Sequence, residues 1–160
     1  MQTIGVMLNS TTMDLTDLYQ AVILDHNRQP RNFGQMEDPD RTASGDNPSC
    51  GDQFSVSIKL KGDVIDEISF YGQGCAISKA SGSVMTSIFK GKTEAEAREI
   101  FDEFRNLLMT GEFDPNELTE MSAFAGVHQF PARIKCATLT WHAALAALAG
   151  DEETVRTEEE

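Results

Sequence analysis

The feature that most constrains the fold is a change of hydrophobic period in the middle of the chain. Phe54, Val56, Ile58 and Leu60 alternate with Ser55, Ser57, Lys59 and Lys61, the two-residue repeat of a strand with one buried face. Gly62-Asp63 supplies a tight turn, and Val64–Tyr71 follows with Ile68 and Phe70 on one face, so the pair reads as an antiparallel hairpin. Past Gly72 and Gly74 the period becomes helical, with Ile77, Ala80, Val84 and Ile88 on one stripe as far as Gly91. Thr93-Glu94-Ala95-Glu96 is a capping box that opens a helix with Ala97, Ile100, Phe101, Phe104 and Leu108 inward. Asp114-Pro115-Asn116-Glu117 is a second box, with Pro at the first helical position, and predicts a short helix over about residues 116–124. Pro131 starts a last helix with Ile134, Ala137, Trp141, Leu145 and Leu148 along one stripe. Strands precede helices without βαβ alternation, which predicts an α+β fold: a small antiparallel sheet of about three strands covered by helices.

Upstream of the hairpin, Leu15, Leu18, Val22 and Ile23 mark a first helix that ends before Pro30, and residues 30–49 read as a long loop that can hold a short edge strand. Residues 1–13 read as a loose leader and 151–160 as an acidic, disordered tail, leaving a single domain over 1–150. The 160 residues carry 13 Lys and Arg against 26 Asp and Glu, a formal net charge of −13. That balance excludes a basic stripe for nucleic acid and an electrostatic dock on anionic lipid. No apolar run approaches a membrane span, and Met1–Thr12 lacks the charged start of a signal peptide. Three cysteines, an odd number, make a poor disulfide framework, so the expected location is a reducing cytoplasm.

The hairpin arithmetic bears on those cysteines. With Gly62 and Asp63 as turn residues, opposed positions have numbers summing to 125, as Cys50 and Cys75 do. Both therefore flank the same end of the sheet, and Asp52, two residues from Cys50, lies on the same side of an extended chain. Cys136 enters from the start of the last helix, where the helix dipole favours thiolate. Three thiols and a carboxylate form a four-ligand set suited to Zn²⁺ or an iron–sulfur cluster, although no C-x-x-C pair is present and buried free cysteines are the plain alternative. Three thiolates and one carboxylate around Zn²⁺ leave a formal excess of negative charge. Arg133 and Lys135 beside Cys136, and Lys79 after Cys75, are the cations placed to offset it, Arg133 foremost because its guanidinium donates in a fixed fork.

At these residues the chain resembles the NifU/IscU-like iron–sulfur cluster assembly proteins. Asn47-Pro48-Ser49-Cys50-Gly51-Asp52 resembles the family's N-P-x-C-G-D motif, and Gly72-Gln73-Gly74-Cys75-Ala76-Ile77-Ser78-Lys79-Ala80-Ser81 its second motif. Arg133-Ile134-Lys135-Cys136 resembles the third, and Leu18 through Asn32 the amino-terminal helix. Lys135, where the scaffold branch has His, and an extra stretch around Glu112–Gln129 are similar to the SufU branch. The resemblance implies zinc held by Cys50, Asp52, Cys75 and Cys136, and sulfur accepted from SufS, a pyridoxal-phosphate cysteine desulfurase, and passed on to downstream SUF scaffold proteins. It also implies that a histidine of the desulfurase replaces the first cysteine on the metal.

A closed four-ligand site must release a ligand before it can react. Cys50 is the expected one, since its loop can move, and it is the expected sulfur acceptor, with Arg133 orienting the partner or stabilising thiolate. Two rivals use the same ligands: a scaffold that assembles and transfers a [2Fe–2S] cluster, and a structural zinc domain that binds a partner without chemistry. A cysteine hydrolase would need a Cys/His pair: His26 is on the first helix, His142 lies on the opposite helix face from Cys136, and His128 could approach a thiol but reads as a surface loop residue.

Overall fold

The computed structural model describes residues 15–150 and the pair Val155–Arg156. The leader 1–13 and the rest of the tail lie outside the described residues. Helix α1 (Leu15–Arg28) leads into strands β1 (Arg41–Asn47), β2 (Asp52–Lys61) and β3 (Val64–Gln73). Helices α2 (Ala76–Phe89) and α3 (Glu94–Thr110), a 3₁₀ helix (Glu120–Gln129), helix α4 (Pro131–Leu148) and the two-residue strand β4 (Val155–Arg156) follow. The sheet order is β3-β2-β1-β4, antiparallel except for the β1–β4 pair. This is the expected α+β architecture.

The hairpin forms because one face of β2, with Phe54, Val56 and Ile58, is buried under helices. On the opposite face, hydroxyls pair across strands, Thr42 with Ser57 and Ser44 with Ser55. Near the turn, opposed numbers sum to 125, as in Lys61↔Val64, but a bulge between Lys59 and Leu60 shifts the rest to 126, as in Gln53↔Gln73. The offset moves Cys75 one position relative to the ideal register and keeps it at the same sheet end as Cys50.

Residues 41–47 are a full seven-residue strand between β2 and β4, where only a loop with a short edge strand was expected. Its inward residues are Ala43, Gly45 and Asn47, too small or polar to announce a strand. A Cβ on Gly45 would sit 2.9 Å from Leu139 Cδ1, so the glycine is what lets α4 lie close. Helix α4 is buried on most sides, Trp141 included, rather than along one stripe. Trp141 stacks on Phe104 at 4.2 Å and meets Phe89 edge-on. Its Nε1–H donates to Ser81 Oγ (2.8 Å), and Ser81 donates in turn to the Ala137 carbonyl.

The Thr93/Glu96 capping box is present, with both reciprocal bonds. The expected helix over 116–124 is displaced. The Asp114 carboxylate accepts the Asn116 N–H in a turn, and the 3₁₀ helix starts only after Thr119. That segment is fastened to the core by His26, which is 1% exposed. Arg31 N–H donates to Ser83 Oγ, Ser83 donates to His26 Nδ1 (2.7 Å), and His26 Nε2–H donates to Glu120 Oε2 (2.6 Å). The flanks of the sheet are partly covered: β1 by the two-residue β4 at Gly45 and Asp46, and β3 by bridges at Phe33↔Phe70 and Val64↔Thr93. Among the described residues no helix is long and apolar enough to cross a membrane.

Candidate metal centre

Three structural joints meet at the end of the sheet away from the Gly62 turn. The first is the β1–β2 connection, Pro48–Gly51, where Gly51 takes φ 75° and Cys50 is exposed. The Asn47 carbonyl closes this turn by accepting N–H groups from both Cys50 (3.1 Å) and Gly51 (2.9 Å). Asp52 opens β2 with its side chain inward and fully buried. The second joint is the start of α2. Cys75 is its N-cap, and its sulfur accepts the Ser78 N–H at 3.5 Å. The third is the first part of α4, which delivers buried Cys136.

Ligand atoms of Cys50, Asp52 and Cys136 all lie within 4.8 Å of one another. The two sulfurs are 3.2 Å apart. Cys75 joins through Asp52: its backbone N–H donates to Oδ1 (2.9 Å), and its sulfur is 4.0 Å from Oδ2. A buried carboxylate beside the buried Cys136 thiol, with two more thiols next to them, suits a cation better than an apolar core. Soft thiolates with one oxygen donor suit a tetrahedral ion such as Zn²⁺. The four residues singled out from the sequence are thus neighbours, brought there by a turn, a strand start and two helix starts.

The thiols are not equivalent. The hydrogen bond from Cys136 holds the Cys75 thiol down to about 5, helped by the Ser78 N–H at the helix start. The same bond, together with burial, pushes Cys136 well above the ordinary thiol range. Arg133, exposed at the first turn of α4, has its pKa raised chiefly by Cys75. It is the nearby cation that the sequence suggested. Lys79 instead lies over the Phe33 ring at 4.8 Å, so it is engaged in packing rather than at the sulfurs.

A family profile described as "NifU-like N terminal domain" matches residues 18–137, three quarters of the chain and all three cysteines. The chain belongs to the NifU-like N-terminal domain family. Among curated relatives of this NifU-like chain, a zinc-dependent sulfurtransferase SufU of Bacillus subtilis is 40% identical over 89% of this chain and 97% of its own. An iron–sulfur cluster assembly scaffold protein IscU of Streptococcus pyogenes is 41% identical over 84% of each. Among solved structures, a candidate SUF-system assembly scaffold from Fervidobacterium islandicum superposes with TM-score 0.73 at 36% identity, covering 79% of this chain and 93% of that one. The chain is therefore similar to members of both the sulfurtransferase and the scaffold branches.

Beside Cys75 and Arg133 the NifU-like fold leaves a groove of about 950 Å³, walled by Tyr19, Phe113, Val127 and Phe130. The three histidines are engaged elsewhere, and His128 also lines the groove that holds Cys75. His26 is in the clasp described above, His142 packs edge-on to Phe101, and His128 is bonded to the Ala125 carbonyl. Sequence reasoning missed the clasp, for a lone His in a helix carries no signal. It also missed the Asn47 side chain, whose Nδ2 reaches Cys136 Sγ at 3.8 Å. The Asn-Pro pair announces a turn and says nothing of that second contact.

Proposed function

We propose that this chain accepts sulfur from the persulfide of a cysteine desulfurase on Cys50, at a zinc site held by Cys50, Asp52, Cys75 and Cys136, and passes it on in iron–sulfur cluster assembly. One observation carries the reading. Within a single ligand cluster, Cys50 is exposed on a loop while Asp52 and Cys136 are buried in regular structure. Asp52 and Cys136 are seated in regular structure and Cys75 caps a helix, so Cys50 is the ligand whose departure disturbs the fold least.

When bound, zinc supplies a positive charge that keeps the thiols deprotonated at neutral pH. The transfer itself is thiol exchange. The Cys50 thiolate attacks the outer sulfur of the desulfurase persulfide, a new S–S bond forms on Cys50, and the old one breaks with its electron pair leaving on the desulfurase cysteine. Arg133, at the groove beside Cys75, stabilises the anionic sulfur and meets the partner. The names of the sulfurtransferase and scaffold relatives support this reading. The free thiols and the absence of a membrane-crossing helix among the described residues fit work in a reducing cytoplasm.

Incubation with a desulfurase and ³⁵S-cysteine tests the proposal. Cys50→Ala retains part of its zinc and takes up no label, whereas full labelling of that variant excludes Cys50 as acceptor. Anaerobic reconstitution with iron and sulfide addresses the scaffold reading, which requires a stable visible chromophore.

A further inference from the structure

Asn47 is the last residue of β1, opposite Asp52 in the β1–β2 register, and is 1% exposed. Its backbone carbonyl alone closes the turn that carries Cys50, so the turn does not require an amide side chain. The side chain nevertheless is one. Its Nδ2–H donates to Cys136 Sγ, while its Oδ1 is buried without a hydrogen-bond partner. A buried amide with an orphaned oxygen costs stability that a leucine of similar size would avoid. What the amide offers in return is a donor aimed at a sulfur.

We infer that Asn47 is a positioning residue for the Cys136 thiolate, holding and electronically tempering the sulfur that must stay on the metal when Cys50 departs. The inference rests on the zinc reading above. An N–H donated to a ligating thiolate draws electron density from the sulfur and fixes its direction. Because the backbone of the same residue anchors the Cys50 turn, movement of that loop and the seat of Cys136 are joined at one residue. The carbonyl can relax its grip on the Cys50 and Gly51 N–H groups while the side chain keeps its hold on the buried sulfur.

The full chain loaded with Co²⁺ in place of zinc provides the test, using Asn47→Leu, which removes the donor, and Asn47→Asp, which keeps the shape and replaces the donor with an anionic oxygen. The thiolate-to-cobalt charge-transfer band moves to lower energy in the order Asn, Leu, Asp. Zinc affinity, read by competition with a chromophoric chelator, falls about 10- to 100-fold, further for Asp than for Leu. A role confined to shape gives the opposite ranking, with Asp the milder change and the band unmoved, and that result overturns the inference. Should Asn47→Leu fail to fold, the Asp variant alone decides by its band and affinity. A native chain with no thiolate–cobalt band overturns the zinc reading and this inference with it. A native band with unchanged variants overturns only the role of Asn47.

Discussion

His26→Ala should cost more than a typical change on the first helix. The native imidazole is 1% exposed and is held at both nitrogens, by Ser83 at 2.7 Å and Glu120 at 2.6 Å. The bond with the neutral serine is worth about 1 kcal/mol, and that with the carboxylate about 1.5 kcal/mol. The lower end of the range applies to the second bond because Glu120 is 51% exposed and is rehydrated when the ring is gone. Ser83 still accepts the Arg31 N–H, but its own buried O–H loses the acceptor that the ring supplied. Truncating a buried ring adds a packing loss of about 1–2 kcal/mol, for a total of roughly 4 kcal/mol. On a domain of this size that lowers Tm by about 10 °C. Urea unfolding followed by circular dichroism measures it, and hydrogen exchange over residues 112–129 should rise in the same variant, since the clasp is one of the contacts that tie the 3₁₀ helix to α1. A loss below about 1 kcal/mol, or strict additivity of His26→Ala and Glu120→Ala in a double-mutant cycle, would refute the reasoning.

Two further substitutions probe the packing around the site. Gly74→Ala places a Cβ 2.7 Å from Asp52 Oδ1 and 2.6 Å from Phe54 Cε2, so the carboxylate must shift; metal content per chain should drop while the circular dichroism spectrum stays native, and an unchanged content would show that the site tolerates the shift. Ser81→Ala removes the acceptor of the buried Trp141 N–H, at a cost of about 2 kcal/mol. Trp141 is the chain's single tryptophan, so its fluorescence reports directly: emission moves to shorter wavelength, and an unshifted spectrum counts against the bond.

What could be read from the sequence follows a physical rule. β2 was legible because Phe54, Val56 and Ile58 face a core while serines face outward. β1 was not, because Ala43 and Gly45 line the contact with α4 and their smallness is what the contact requires. The helix expected over 116–124 failed because a capping signal and a turn signal use the same residues, and at Asp114 the turn won. The site shows the same split. Hairpin arithmetic could bring Cys50, Asp52 and Cys75 to one sheet end, since turn position fixes register to within one bulge. No local pattern could reveal that Asn47 and Cys136, distant in sequence, touch across the sheet–helix interface.

The two covered flanks of the sheet have a consequence for how any other molecule engages it. With Val155–Arg156 laid along Gly45-Asp46 and the Phe33 and Thr93 bridges lying against β3, a foreign strand running the full length of either flank would have to displace one of these contacts. Full-length strand addition, as peptides make on open-edged domains, is disfavoured along these flanks. The loop end, by contrast, presents exposed Cys50 directly to an arriving molecule.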